Sequence, residues 1–178
     1  MGNLVKILPH YTYDDWINWE GQWELIDGIP YAMSPMPVPK HQTVASNLTI
    51  EFGNELKKCK SCKIYQPLDY KISDDIIIQP DLLIVCGKIE KKYLDFPPAL
   101  VIEILSPATA LKDKHSKFHI YEEQQIKYYV IISPDKEEVE VYTINGGIYQ
   151  LQQAGRDFIH HFTFEPNCAA AVNFKEIW

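Results

Sequence analysis

Two carboxylates stand where the chain reads as buried strand. The run ALVIEILSP, residues 99–107, is apolar or small up to its Ser-Pro break except at Glu103. So continuous a run of Val, Ile and Leu reads as a strand covered on both faces. Asp81 interrupts IIIQPDLLIV, residues 76–85, in the same way. An ionised carboxylate in such a position costs several kcal/mol unless something opposite balances its charge. Only the short charged loop GKIEKKYLDFPP separates the two runs. Consecutive strands usually lie side by side, so antiparallel pairing would bring Asp81 and Glu103 together. Two bare carboxylates at that distance repel, and one is driven neutral. A divalent cation removes the difficulty, because Mg²⁺ takes hard oxygen ligands, commonly one or two carboxylates with water and substrate phosphate. Glu103 is therefore read as a metal ligand. The alternatives are lysine partners, the capping of a chain reversal or, for Asp81 after Pro80, a β-bulge.

The segment after Glu103 adds a cation. Asp113, Lys117 and Tyr121 follow one another at four-residue intervals, on one face of a helix. The competing reading is a surface ion pair, which contributes little. His115 and His119 share the same spacing, but no Glu follows His115, so this is not a zinc-protease helix, and both should face the exposed side. Cys59 and Cys62 form a C-x-x-C that could be redox-active or half of a zinc site. No second C-x-x-C or Cys/His pair stands at zinc-ribbon spacing, so plain reduced thiols are expected.

The elements that must hold these groups follow from periodicity and turn chemistry. Thr12-x-x-Asp15 resembles a capping box opening a short helix. WELIDGIPYAM, residues 23–33, reads as a hairpin about Asp27-Gly28. The proline-rich SPMPVPK is a loop, and the next helix sets Val44, Leu48, Phe52 and Leu56 on one face. Strands are expected over residues 62–73 and 76–86, a helix over 109–124 with Leu111, Phe118 and Tyr121 inward, and a buried strand over 126–132. A polar hairpin around Asn145-Gly146-Gly147 follows, over residues 138–153. With no repeat or long linker, residues 1–178 read as one mixed α/β domain.

Composition limits the partners. The net charge of -7 argues against a protein that coats nucleic acid, although a local basic groove is compatible with it. Arg156 is the only arginine, so bidentate reading of guanine is nearly out of reach and any DNA binding should be weakly sequence-specific. No apolar run is long enough for a membrane span and no leader pattern is seen, which points to a cytoplasmic protein without membrane partners.

Taken in order, ELIDG, MSP-x-P-x-P-x-HQ, QPDLLIV, ALVIEILSP-x-T, D-x-x-x-K-x-x-x-Y and KYYVII-x-x-P resemble the Uma-type family of restriction-endonuclease-like proteins. That group lies within the PD-(D/E)XK nuclease superfamily, and the resemblance covers about residues 20–145. It implies a restriction endonuclease-like α/β core: a central mixed β-sheet flanked by helices, here with an N-terminal hairpin. It also implies Mg²⁺- or Mn²⁺-dependent hydrolysis of phosphodiester bonds in DNA. Pro80-Asp81 matches the PD element and Glu103 the acidic residue of (D/E)XK. Leu105 stands where the superfamily has lysine; the Uma-type pattern places that lysine on the next helix, where Lys117 fits. Glu24 and His41 match further family positions at the edge of the site.

On this reading Asp81, Glu103 and the backbone carbonyl of Ile104 hold the metal, which polarises the phosphate and activates a water. Lys117 orients or deprotonates that water, or offsets developing charge. Replacing Lys117 should spare the fold, since lysine is not a metal ligand. Lysines 57, 58, 60 and 63, and 112, 114 and 117, are candidates for steering DNA. A homodimer is expected, because the 138–153 hairpin leaves an edge to cover and Trp178 supplies a large apolar ring. Two other readings are carried: a non-catalytic interaction or assembly module on the nuclease fold, and a metal-dependent enzyme acting on a small nucleotide.

Overall fold

The computed structural model describes residues 8–33, 37–107 and 113–178, with side chains in the last stretch from residue 115. Leu111 and Lys112, and the side chains of Asp113 and Lys114, therefore lie outside the described residues. The short helix α1 (Tyr13–Trp16) opens at Thr12, whose N–H donates to Asp15 Oδ2 at 2.9 Å, closing the capping box. Strands β1 (Trp23–Ile26) and β2 (Ile29–Ala32) form the first hairpin. Asp27 and Gly28 turn it with φ of 52° and 72°, the paired positive values that a tight two-residue turn needs. Helix α2 (Pro39–Leu56) buries Val44, Leu48, Phe52 and Leu56 in one cluster, as their spacing requires.

There follow β3 (Cys62–Tyr65), β4 (Tyr70–Lys71), β5 (Ile77–Ile78), β6 (Leu82–Cys86) and β7 (Leu100–Ile104). A π-helical turn (Asp113–Lys117) runs into α3 (Phe118–Glu123), and the chain ends in β8 (Tyr128–Ser133), β9 (Glu138–Asn145), β10 (Ile148–Gly155), β11 (Ile159–Phe164) and β12 (Cys168–Asn173). The central sheet has the order β10-β9-β8-β7-β6-β3, a second sheet the order β2-β1-β5-β4, and β11 pairs with β12. Within the central sheet β7 and β8 are parallel and the other neighbours antiparallel, so the sheet is mixed. A parallel pair needs a crossover, and the π turn with α3 lies on it.

Side-chain alternation assigns the two faces. Ile102, Ile104, Val130 and Ile132 join α2 and the β11–β12 hairpin in one core. Val101, Tyr129 and Ile131 join Ile120, Tyr121, Tyr70 and Ile78 in the other. Covered on both sides, β7 and β8 can be apolar along their length. Glu103, between Ile102 and Ile104, faces the second core. No described helix is long and apolar enough to cross a membrane.

Several expectations are corrected. The 76–86 run is not one strand: Pro80 cannot donate to a ladder, so the chain leaves one sheet after Ile78 and enters the other at Leu82. The 62–73 run likewise breaks after Tyr65, just before Gln66-Pro67. The β11–β12 hairpin was not expected. The half-buried Trp178 ring packs against the first core, and its indole N–H donates to the Arg156 carbonyl at 3.2 Å. The cysteines are not plain thiols. Cys59 is bonded to Cys168 and Cys62 to Cys86, because the β3–β6 register sets Cys62 opposite Cys86 and β12 begins beside the end of α2.

Gly28 holds a φ of 72° that side chains rarely adopt, and a Cβ there would also meet the His10 ring. Gly28→Ala should therefore cost about 1–3 kcal/mol, read as a lower urea midpoint with unchanged slope.

Candidate active site

The site is organised by a buried cation. Lys117, the last residue of the π-helical turn, is 2% exposed, and its ammonium lies 2.7 Å from Glu24 Oε1 and 2.9 Å from Glu103 Oε1. Those carboxylates, 0% and 2% exposed, come from the middle of β1 and from β7. A π turn holds an extra residue relative to an α turn, a local departure often found at functional sites. Tyr121, one α-helical turn beyond Lys117, donates its hydroxyl to Glu103 Oε1 at 2.6 Å. Burial first, and then the Glu103 charge, hold the Tyr121 phenol well above its ordinary pKa, so it remains a donor at neutral pH.

The same groups fix the chain before Asp81. The Gln79 N–H donates to Glu24 Oε1 at 2.9 Å, and Lys117 reaches the Gln79 carbonyl at 3.4 Å. The Gln79 side-chain amide donates to Asp69. Asp81 follows, one step before β6. Because Leu82 pairs with Ile102, the antiparallel register sets Asp81 opposite Glu103. Its Oδ2 accepts the Ile104 N–H at 2.7 Å and lies 3.3 Å from His41 Nε2. His41 is buried in the first turn of α2. At 20% exposure, the Asp81 side chain is the most open of the three carboxylates.

Of the residues singled out in the sequence, the structure joins Glu24, Glu103 and Lys117 directly and pairs His41 with Asp81. The β6–β7 register and the Asp81–Ile104 bond connect the two groups. Glu24 and Glu103 thus share the Lys117 ammonium, while Asp81 stands beside them against the His41 ring. Asp81 and Glu103 offer hard oxygens from opposed strand positions, a donor set that fits Mg²⁺ or Mn²⁺.

Lys117 is not part of a steering patch: it is buried. Nor is the pair it makes a surface ion pair. Lysines 60 and 63 line a concavity beside Cys86, at the end of β6 opposite Asp81, roughly 17 Å away by strand rise. Leu105 packs into the second core. His115 and His119 are exposed, as expected. Tyr121 and Gln79 were missed as site residues. The four-residue step from Lys117 pointed to the first, and adjacency to Pro80-Asp81 was the only signal for the second.

Comparison with known proteins gives three findings. The family model Uma2, described as "Putative restriction endonuclease", matches residues 11–173. An uncharacterised protein of Synechocystis sp. is 28% identical over 147 residues, covering 77% of this chain and 76% of its own. A crystal structure described as that of a putative nuclease belonging to DUF820, from Anabaena variabilis, superposes with a TM-score of 0.73 at 18% identity, over 93% of this chain and 96% of that one. At that identity the superposition shows a shared fold.

Burial changes what loss of Lys117 should do. Lys117→Met leaves two buried carboxylates without their cation and should cost about 3–5 kcal/mol, measured by chemical denaturation without metal. Adding Glu24→Gln should recover part of that loss, so the double variant should be more stable than the sum of the single effects predicts. Tyr121→Phe should cost about 1–3 kcal/mol for the donor removed from Glu103.

Proposed function

The chain belongs to the Uma2 family, and from that premise we propose that it is a metal-dependent endonuclease hydrolysing phosphodiester bonds of DNA with little sequence preference. The observation that carries this reading is that the β6–β7 register sets Asp81 opposite Glu103, two carboxylates from adjoining chain segments, with the Lys117 ammonium on Glu103. A divalent cation suits such a set of hard oxygens.

Asp81, Glu103 and the Ile104 carbonyl would hold Mg²⁺ or Mn²⁺, which when bound supplies Lewis acidity to the phosphate and lowers the pKa of a water. The chain's own groups do the rest. Lys117 places a positive charge beside Glu103, where it orients the attacking water or offsets charge developing on phosphoryl oxygens. Tyr121 and Glu24 are positioning residues: the first fixes the Glu103 carboxylate, the second holds both Lys117 and the Gln79 N–H. His41 orients Asp81. The open edge at β10, with Ile148 and Leu151 exposed, is where a second copy would pair to give a homodimer.

A second reading is favoured by one observation. Lys117 is clamped between two carboxylates, a state that would serve a purely structural ion cluster in a non-catalytic assembly module. Purified protein should nick plasmid and degrade single-stranded DNA with Mn²⁺ or Mg²⁺ but not with a chelator. Asp81→Asn should lower the rate at least about 100-fold, the scale set by removing one preorganised electrostatic group. No cleavage by the parent with either metal would favour the assembly module.

A further inference from the structure

We propose that the four cysteines form a tetrathiolate zinc site in the reduced protein, independent of the nuclease reading. They come from four separate places: Cys59 just past α2, Cys62 opening β3, Cys86 closing β6 and Cys168 opening β12. The sulfurs of Cys59, Cys62 and Cys168 all lie within 4.8 Å of one another, and that of Cys86 is bonded to Cys62. Neighbouring sulfurs around a tetrahedral zinc, with Zn–S near 2.3 Å, stand about 3.8 Å apart. The Cys59, Cys62 and Cys168 sulfurs are already close to that spacing, and Cys86 starts one S–S bond from Cys62, so reduction frees a fourth thiol beside the other three.

The surroundings suit the product. Zinc with four thiolates carries a net charge of -2, and Lys60, Lys63 and Lys88 line the concavity beside Cys86. The Ser61 hydroxyl lies 3.2 Å from the Cys59 sulfur and 3.8 Å from that of Cys62, so it can donate to a thiolate. Cys59 and Cys62 have the two-residue spacing by which one short loop supplies two ligands. The balance is simple. A dithiol reductant opens each disulfide, giving up two electrons and two protons and becoming a disulfide itself. The four cysteine thiols then release four protons as they take up Zn²⁺. Disulfides and zinc are mutually exclusive at these sulfurs. The bound metal would tie the α2 end, the β3–β6 edge and the C-terminal hairpin into one unit.

The test is titration of the full chain, reduced and separately oxidised with diamide, with Co²⁺ and then Zn²⁺. The reduced chain should bind one Co²⁺ with a strong sulfur-to-cobalt charge-transfer band and a tetrahedral visible spectrum, and Zn²⁺ should displace it one for one. The carboxylate site contains no sulfur and cannot give that band. The oxidised chain should give none. Cys168→Ser, checked for folding by circular dichroism, should lose stoichiometric thiolate binding. A reduced parent chain that gives no charge-transfer band overturns the proposal without recourse to any variant. So does a band that survives diamide, or one unchanged in folded Cys168→Ser.

Discussion

The buried ammonium of Lys117 is the interaction on which the architecture of the site depends. Taking one lysine and two carboxylates out of water carries a desolvation cost of several kcal/mol per ion, and only close mutual contact offsets it. The contacts of 2.7 and 2.9 Å supply that, with the Tyr121 hydroxyl on Glu103 and the Gln79 N–H on Glu24 adding hydrogen bonds. None of the three ions is tolerable there alone. The first hairpin, the middle of the central sheet and the crossover must therefore reach their places together, in one relative arrangement. Such a cluster adds less to net stability than to the uniqueness of the packing.

Much of this was legible in the sequence, for reasons that differ by residue. Glu103 and Asp81 stood out because charge inside an apolar run has few physical explanations, and their opposition followed from neighbouring strands. Val44, Leu48, Phe52 and Leu56 declared their face by period alone. The Asp27-Gly28 turn was readable because few residue pairs accept two positive φ values. The burial of Glu24 was not readable: WELIDG allows either side chain parity, and only docking of β1 against β5 decides which face meets the core. The break after Ile78 was hidden because Pro80 permits a bulge as well as a change of sheet. The β11–β12 hairpin was missed because its alternation of His160, Phe162 and Phe164 is short and lies beyond the stretch that carried the resemblance. The cysteine pairings depend on tertiary contact across up to 109 residues, which spacing cannot encode.

Strand β6 connects two regions of opposite chemical character. Just before its start Asp81 lies opposite Glu103, and at its end Cys86 is bonded to Cys62. Hard oxygens and soft sulfurs are thus held apart by the length of one strand. Lysines 60, 63 and 88 line the concavity at the Cys86 end.

The parallel pairing of β7 and β8 decides from which element a cation reaches Glu103. A parallel pair obliges the chain to travel back across one face of the sheet. Here that face is the one Glu103 occupies, so the returning segment passes over the carboxylate whatever its sequence. Leu105, two residues after Glu103, packs on the second core, and the crossover brings the Lys117 ammonium to 2.9 Å from the Glu103 carboxylate. What the fold sets is a distance between charged atoms rather than an interval along the chain. A pattern that counts residues from Glu103 would score this protein as defective, whereas a template of atoms would match it.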